Sequence, residues 1–278
     1  MTRAICSSAP PAALLVALLA ATASGGSAQL RPLDPVDFHF LDEPGWTMET
    51  GAGGHVGQRA TLAGTEGDLL ELGNTRIVWS TGRMALELSG TLLRIFQDER
   101  SYEEPVGGAR ASDGSLRVDA GDARVTTLVR LSEEDATPVV LRLGTRLPST
   151  NNEVGLDRDQ TDFYSTLAIL PQLGSWRVGA EFGVGINGTR DTGNEQIDPL
   201  LFSVSATRTV GWFRPLLEAT GQHDPRSNRD RRGNENVGEL RLGGRMGGAN
   251  AWLTILAVRG WTSTSPDLGV LVRVGRRF

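Results

Sequence analysis

Residues 176–187, WRVGAEFGVGIN, put Trp176, Val178, Ala180, Phe182, Val184 and Ile186 on one side of an extended chain. Arg177, Gly179, Glu181, Gly183, Gly185 and Asn187 fall on the other. One side is wholly apolar, and the other carries charge and glycine. A soluble sandwich would turn such a face toward a shared core, whereas a barrel in a bilayer would turn it outward to hydrocarbon. The number of strands, their length and the pattern of their connections separate the two.

The alternation recurs along the chain. Residues 124–131 set Val125, Thr127, Val129 and Leu131 against Arg124, Thr126, Leu128 and Arg130, and residues 139–147 set Val139, Leu141 and Leu143 against Arg142, Gly144 and Arg146. Residues 160–170, 200–210, 213–222, 237–246 and 251–261 continue it, and the last run places Val270, Val272 and Val274 opposite Leu271, Arg273 and Gly275. Residues 74–80 and 83–96 pair around Thr81-Gly82, and the glycine-rich stretch 46–63 supplies a weakly patterned first strand. Connections at 81–82, 132–137, 171–175, 211–212 and 247–250 are short, and those at 97–115, 148–159, 188–198 and 223–236 are long and polar. Short turns on one side, long loops on the other and about twelve strands predict an all-β fold, a transmembrane antiparallel β-barrel. Lipid offers no partner to a free N–H or C=O, so such a sheet must close.

Aromatic placement gives a second test, because bilayer interfaces collect Trp, Tyr and Phe. Trp79, Trp176, Trp212, Phe213 and Trp252 lie beside short turns, with Phe278 at the end of the chain. Phe96, Phe163, Tyr164, Phe202 and Trp261 lie toward the opposite side. Two belts are expected.

Composition narrows the remaining classes. No run of about eighteen apolar residues occurs, which excludes a spanning helix. The formal net charge of -5 argues against a nucleic-acid partner. All 28 basic residues are arginine, which removes Schiff-base and general-base lysines. Residues 1–28 read as a cleaved signal peptide, with Arg3 before the apolar run 12–23 and small residues Gly26, Ser27 and Ala28 before the cut. Cleavage there removes Cys6 and leaves no disulfide to rely on. The expected organisation is a signal peptide at 1–28, an N-terminal periplasmic segment at 29–45 and an outer-membrane barrel at 46–278.

Two resemblances follow from particular residues. The end at Phe278 after Val270, Val272 and Val274 resembles the C-terminal strand signal read by the bacterial barrel-assembly machinery, with Arg276 departing from the usual apolar residue. Gly144-Thr145-Arg146-Leu147-Pro148-Ser149-Thr150, then Gly155-Leu156-Asp157 and Gln160-Thr161-Asp162, resemble the "LPTG…GLG…QTD" signature of the outer-membrane transporters named for the meta-pathway of phenol degradation. Residues 72–88, with Thr81-Gly82-Arg83 before Leu86-Glu87-Leu88, are similar to that family's early "LRYG…ELR" hairpin. The resemblance covers about half the mature chain and implies uptake of aromatic compounds.

Catalytic and metal constellations are sparse. Gly183, Gly185 and Gly188 satisfy G-x-G-x-x-G, but no amphipathic helix follows to hold a phosphate, so glycines easing sheet curvature are the plainer reading. His39, His55 and His223 are the only imidazoles; His223-Asp224 vaguely resembles the pairing of omptin-type barrel proteases, although adjacent residues of an extended chain point apart. Asp157, Asp159 and Asp162 lack the glycine and distal glutamate of an EF-hand. No catalytic residue, metal or cofactor is assigned.

The inward face is more informative. It collects Arg76, Arg83, Arg124, Arg130, Arg142, Arg146, Arg177, Arg214, Arg241, Arg245, Arg259 and Arg273 against Glu87, Asp162, Glu181, Glu218 and Glu239. An arginine at the lipid midplane costs about 2–4 kcal/mol, which places these side chains inside. For Arg259 the placement is ambiguous, because it would carry Ile255 inward too. A basic lumen draws anions through weak successive sites. The expected function is a passive channel for small solutes, tilted toward anionic or aromatic compounds. The expected surroundings are outer-membrane lipid and lipopolysaccharide. A structural or adhesive barrel with a plugged lumen is the alternative, and a barrel hydrolase is a third.

Overall fold

The computed structural model describes residues 30–37, 41, 44–188, 196–225 and 235–278; the expected signal peptide and His39 lie outside them. The strands are β1 (Gly45–Ala60), β2 (Thr65–Ser80), β3 (Met84–Ser101), β4 (Leu116–Asp119), β5 (Ala123–Arg130), β6 (Val139–Leu147), β7 (Asp162–Ile169), β8 (Gln172–Leu173), β9 (Trp176–Asn187), β10 (Leu200–Arg208), β11 (Phe213–His223), β12 (Val237–Gly247), β13 (Ala251–Gly260) and β14 (Leu268–Arg277). β4 continues β5 alongside β3, and β8 continues β7 alongside β9, so the wall has twelve staves. β1 pairs antiparallel with β14 from Thr47 opposite Arg277 to Val56 opposite Leu268, which closes the barrel and leaves no edge in lipid.

Side-chain direction follows the alternation. Val270, Val272 and Val274 on β14 are exposed on the outer wall, while Leu271 between them is buried. Phe182, Val184 and Ile186 on β9 likewise face out, and Glu181 faces in. The apolar side chains therefore form a band on the outside, the arrangement that a bilayer rewards and water would penalise. This is the fold and the lipid-facing surface of an outer-membrane barrel.

β2 and β3 are longer than their pattern suggests because the pattern reverses within them. Gly73 sits at φ +67° opposite Leu92, between the pairs Leu72–Leu93 and Asn74–Thr91. Above it Leu69 and Glu71 point inward, and below it Val78 and Ser80 do. A two-residue period read through this reversal cancels, so residues 65–73 carry no clear signal although they are strand and stay in register with β3 at Gly73. β1 is similarly irregular between Glu49 and Ala52 and between His55 and Gln58.

Several expectations need correction. Arg83 is exposed in the β2–β3 turn, where no wall encloses it. Arg259 is exposed on the outer face with Ile255, near the loop end of β13, and donates to the Asp267 carbonyl at 2.5 Å. Near the membrane edge an arginine reaches water, so the midplane penalty does not apply. Among the aromatics, Trp79, Trp176, Trp212 and Phe278 are exposed at the short-turn end, joined by Trp46, and Phe163 is exposed toward the other end. Phe96, Tyr164 and Trp252 are buried inside instead, because strand parity rather than nearness to a turn sets direction. Residues 30–37, expected in the periplasm, lie within the barrel.

Candidate solute path through the lumen

Segment 30–37 determines what the lumen can hold. Pro32 and Pro35 keep the residues before them extended, and residues 32–37 form neither helix nor strand. Leu30 is buried among Ala60, Ala63, Leu69, Phe96 and Leu156 toward the long-loop end. Val36 is buried among Val78, Ala85, Leu128, Val140 and Ala168 toward the short-turn end. The segment thus runs along the barrel, pinned at each end by an apolar cluster.

Three of its backbone groups bond to the wall, as a buried chain requires. Thr220 donates to the Leu33 carbonyl at 2.6 Å, Arg142 to the Asp34 carbonyl at 2.8 Å, and the Val36 amide donates to Glu181 at 3.3 Å. Its charges meet opposite charges. Arg31 contacts Glu239 at 2.8 Å and Glu71 at 3.4 Å. Asp34 accepts from Arg241 and lies 2.9 Å from Arg273. Asp37 lies 3.2 Å from Arg76 and 3.4 Å from Arg245.

The long-loop half is filled by charge pairs. Loop 148–161 turns inward, so that Leu156, Asp157 and Arg158 are almost fully buried. Arg146 holds Asp157 at 2.6 Å, Asp162 at 2.7 Å and Asp122 at 3.2 Å, and Arg158 holds Asp162 at 2.5 Å. Arg94 joins this cluster to Glu71, at 3.3 Å from Asp157 and 3.1 Å from Glu71. Asp157 belongs to the loop; burial pushes its carboxyl above the ordinary carboxylate value, Arg146 opposes this, and neighbouring Asp122 adds to it.

The short-turn half holds a cavity beside the apolar cluster around Val36. This cavity of about 360 Å³ extends from Gln172, Ser175 and Thr209 near the turns inward to Asp34, Glu218 and Leu256. Arg76, Arg177, Arg214, Arg245 and Arg273 line it, with Asp37 and Glu49. Arg214 stands directly opposite Arg245 across β11 and β12, Arg245 opposite Thr254, and Thr254 opposite Arg273. Like charges on neighbouring staves repel, and carboxylates answer them: Asp34 lies 2.9 Å from Arg273, and Asp37 and Glu49 lie 3.4 Å and 3.2 Å from Arg245. Trp252 lies beside Arg245, its indole donating to Glu49 at 2.8 Å and its ring 5.0 Å from the Arg245 guanidinium. A smaller cavity of about 90 Å³ on the other side of the segment includes Arg124 and Arg142.

The expected inward residues therefore divide by what they touch. Arg76, Arg177, Arg214, Glu218, Arg245 and Arg273 line the larger cavity. Arg142, Arg146, Glu181, Glu239 and Arg241 point inward but are buried in pairs, with Glu181 taking Arg142 at 2.9 Å, Ser203 at 3.1 Å and Thr166 as well. Arg124 lies 3.7 Å from Asp122. Arg130 spends its guanidinium on the carbonyls of Glu133, Glu134 and Ala136, tying down the β5–β6 turn. Asp34, Asp37 and Glu49 were missed, the first two because period-two scanning passes over an irregular segment.

Of the imidazoles, His55 and His223 lie among the described residues, in separate settings. His55 is buried 3.7 Å from Glu71, and His223 ends β11 while the Asp224 amide binds Asn236 at 2.7 Å. Among the described residues no cluster of His, Cys, Asp and Glu could hold a metal ion.

No protein-family model matches the chain, and no curated protein does. Solved structures do. A COG4313 outer membrane channel from Pseudomonas putida F1 aligns with a TM-score of 0.61 at 15% identity, covering 88% of this chain and 100% of that one. LpxR from Salmonella typhimurium aligns with a TM-score of 0.46 at 11% identity, covering 84% and 100%. OmpT, an outer membrane protein of Vibrio cholerae, aligns with a TM-score of 0.40 at 10% identity, covering 84% and 98%. The first of these carries the comparison, and with the closed twelve-stave wall and its apolar exterior it identifies the chain as a β-barrel of the bacterial outer membrane.

Proposed function

We propose that this barrel is a passive outer-membrane channel for small solutes, and that it favours anions. The observation that carries the reading is the cavity of about 360 Å³ with Arg76, Arg177, Arg214, Arg245 and Arg273 in its wall. A basic wall at close quarters concentrates anions and offers them weak, successive sites. The solved channel with the same fold supports passage as the purpose of the barrel. The resemblance of residues 144–162 to the meta-pathway transporters would extend the range to aromatic compounds, although no family model matches the chain. Outer-membrane lipid and lipopolysaccharide would surround the wall, and Phe278 would present the last strand to the assembly machinery.

Proteoliposomes give the test. Uptake of labelled gluconate should exceed that of glucitol, a neutral solute of similar size. Equal rates would remove the anion preference, and no uptake above empty vesicles would remove the channel.

A second reading has its own observation. Segment 30–37 and loop 148–161 fill much of the long-loop half with paired charges, as a structural or adhesive barrel would. That reading gains if vesicles stay impermeable even after the segment's apolar anchors are weakened. A hydrolase gains nothing from the histidine geometry.

A further inference from the structure

Segment 31–37 reads Arg-Pro-Leu-Asp-Pro-Val-Asp, with a charge at every third position, proline after the first two charges, and Leu33 and Val36 filling the remaining places. A polyproline-type chain has three residues per turn, which stacks such positions on three separate edges. The contacts follow that arrangement. Arg31, Asp34 and Asp37 all reach toward β2, β12 and β14, and Val36 turns toward the apolar side chains of β2, β3, β5, β6 and β7. Each aspartate therefore lies between two wall arginines, in the place an anionic solute would take, beside the wall carboxylates Glu239 on Arg241, Glu87 on Arg76 and Glu49 on Arg245.

We propose that Arg241 with Arg273, and Arg76 with Arg245, are two anion-binding sites built into the wall and occupied in the resting chain by its own Asp34 and Asp37. The solute that fits both is a linear dicarboxylate. Three residues of polyproline-type chain advance about 9 Å, which sets the separation of its two carboxylates. A compound of that length replaces both aspartates with one molecule, whereas a monocarboxylate replaces one. The proposal names the solute class for the channel reading and rests on it for the route, but binding itself needs no passage.

Trp252 reports on the second site because its ring lies 5.0 Å from the Arg245 guanidinium. The experiment titrates octanedioate into detergent-solubilised D34N/D37N protein at low salt and follows emission, with the same variant carrying Trp252→Phe as the blank. Saturable binding is expected at least about tenfold tighter than in the unsubstituted protein, and about tenfold tighter than octanoate. Adding R245Q/R273Q should abolish it. Absence of saturable binding in D34N/D37N, or binding that survives R245Q/R273Q, overturns the proposal. If the double variant does not fold, Asp37→Asn alone should bind octanoate at the Arg76 and Arg245 pair, and failure there counts equally against it. Binding without anion passage would remove the channel and keep the sites; anion passage without binding would do the reverse.

Discussion

Asp34, ahead of the first strand, lies 2.9 Å from Arg273 on the last one. The contact joins the two ends of the barrel chain across the lumen, on the side where β1 and β14 close the wall.

If apolar packing pins segment 30–37, weakening both anchors should free the lumen. Leu30→Ala with Val36→Ala removes buried methyl groups from each cluster, at a cost of about 1–3 kcal/mol apiece. Single-channel recordings should show a several-fold rise in conductance. Unchanged currents would mean that the segment does not limit passage.

Glu181 gathers Arg142, Thr166, Ser203 and the Val36 amide. Glu181→Ala leaves Arg142 buried without its carboxylate, and breaking a buried pair costs about 3–5 kcal/mol. Urea titration of vesicle-inserted protein should show the loss as a lower midpoint, with Glu181→Gln falling between. A midpoint shared by all three proteins would show that Arg142 is served by water or by other groups.

The outer wall makes the opposite demand. Val272 faces hydrocarbon between Leu271 and Arg273, both of which face in. Val272→Arg should cost about 2–4 kcal/mol near the bilayer centre. Refolding into vesicles, followed by heat-modified gel mobility, measures it. Wild-type yield and stability would mean that the valine does not face lipid.

Strand direction was legible wherever the two-residue period ran unbroken, as in β9, β6 and β14. It was lost where backbone geometry reset it: Gly73 and Leu92 reverse the pattern of β2 and β3, and no residue type at those positions announces the reversal. The luminal arginines were legible because lipid forbids the alternative. So were several of their counter-charges, Glu87, Asp162, Glu181 and Glu239 among them; Asp34 and Asp37 were not, since they lie on an irregular segment with a charge at every third position. Trp252 was assigned to a belt by its place near a turn, although it shares the parity of Thr254, Leu256 and Val258, which are all buried.

Gly144 shows how the interior uses glycine for space. It stands opposite Tyr164 across β6 and β7, and a Cβ there would meet the Tyr164 ring at 2.2 Å. The ring lies over the glycine with its hydroxyl 2.5 Å from Thr126. Gly144→Ala should displace the ring and cost about 1–3 kcal/mol, measured again as a urea midpoint. A neutral outcome would mean that Tyr164 has room to move.

The reversal potential across a planar bilayer under a salt gradient tests the basic lumen most directly. The account predicts a potential of the sign set by anion permeation, moving toward zero in R245Q/R273Q. A potential of cationic sign in the unsubstituted protein, or one indifferent to those arginines, would contradict it.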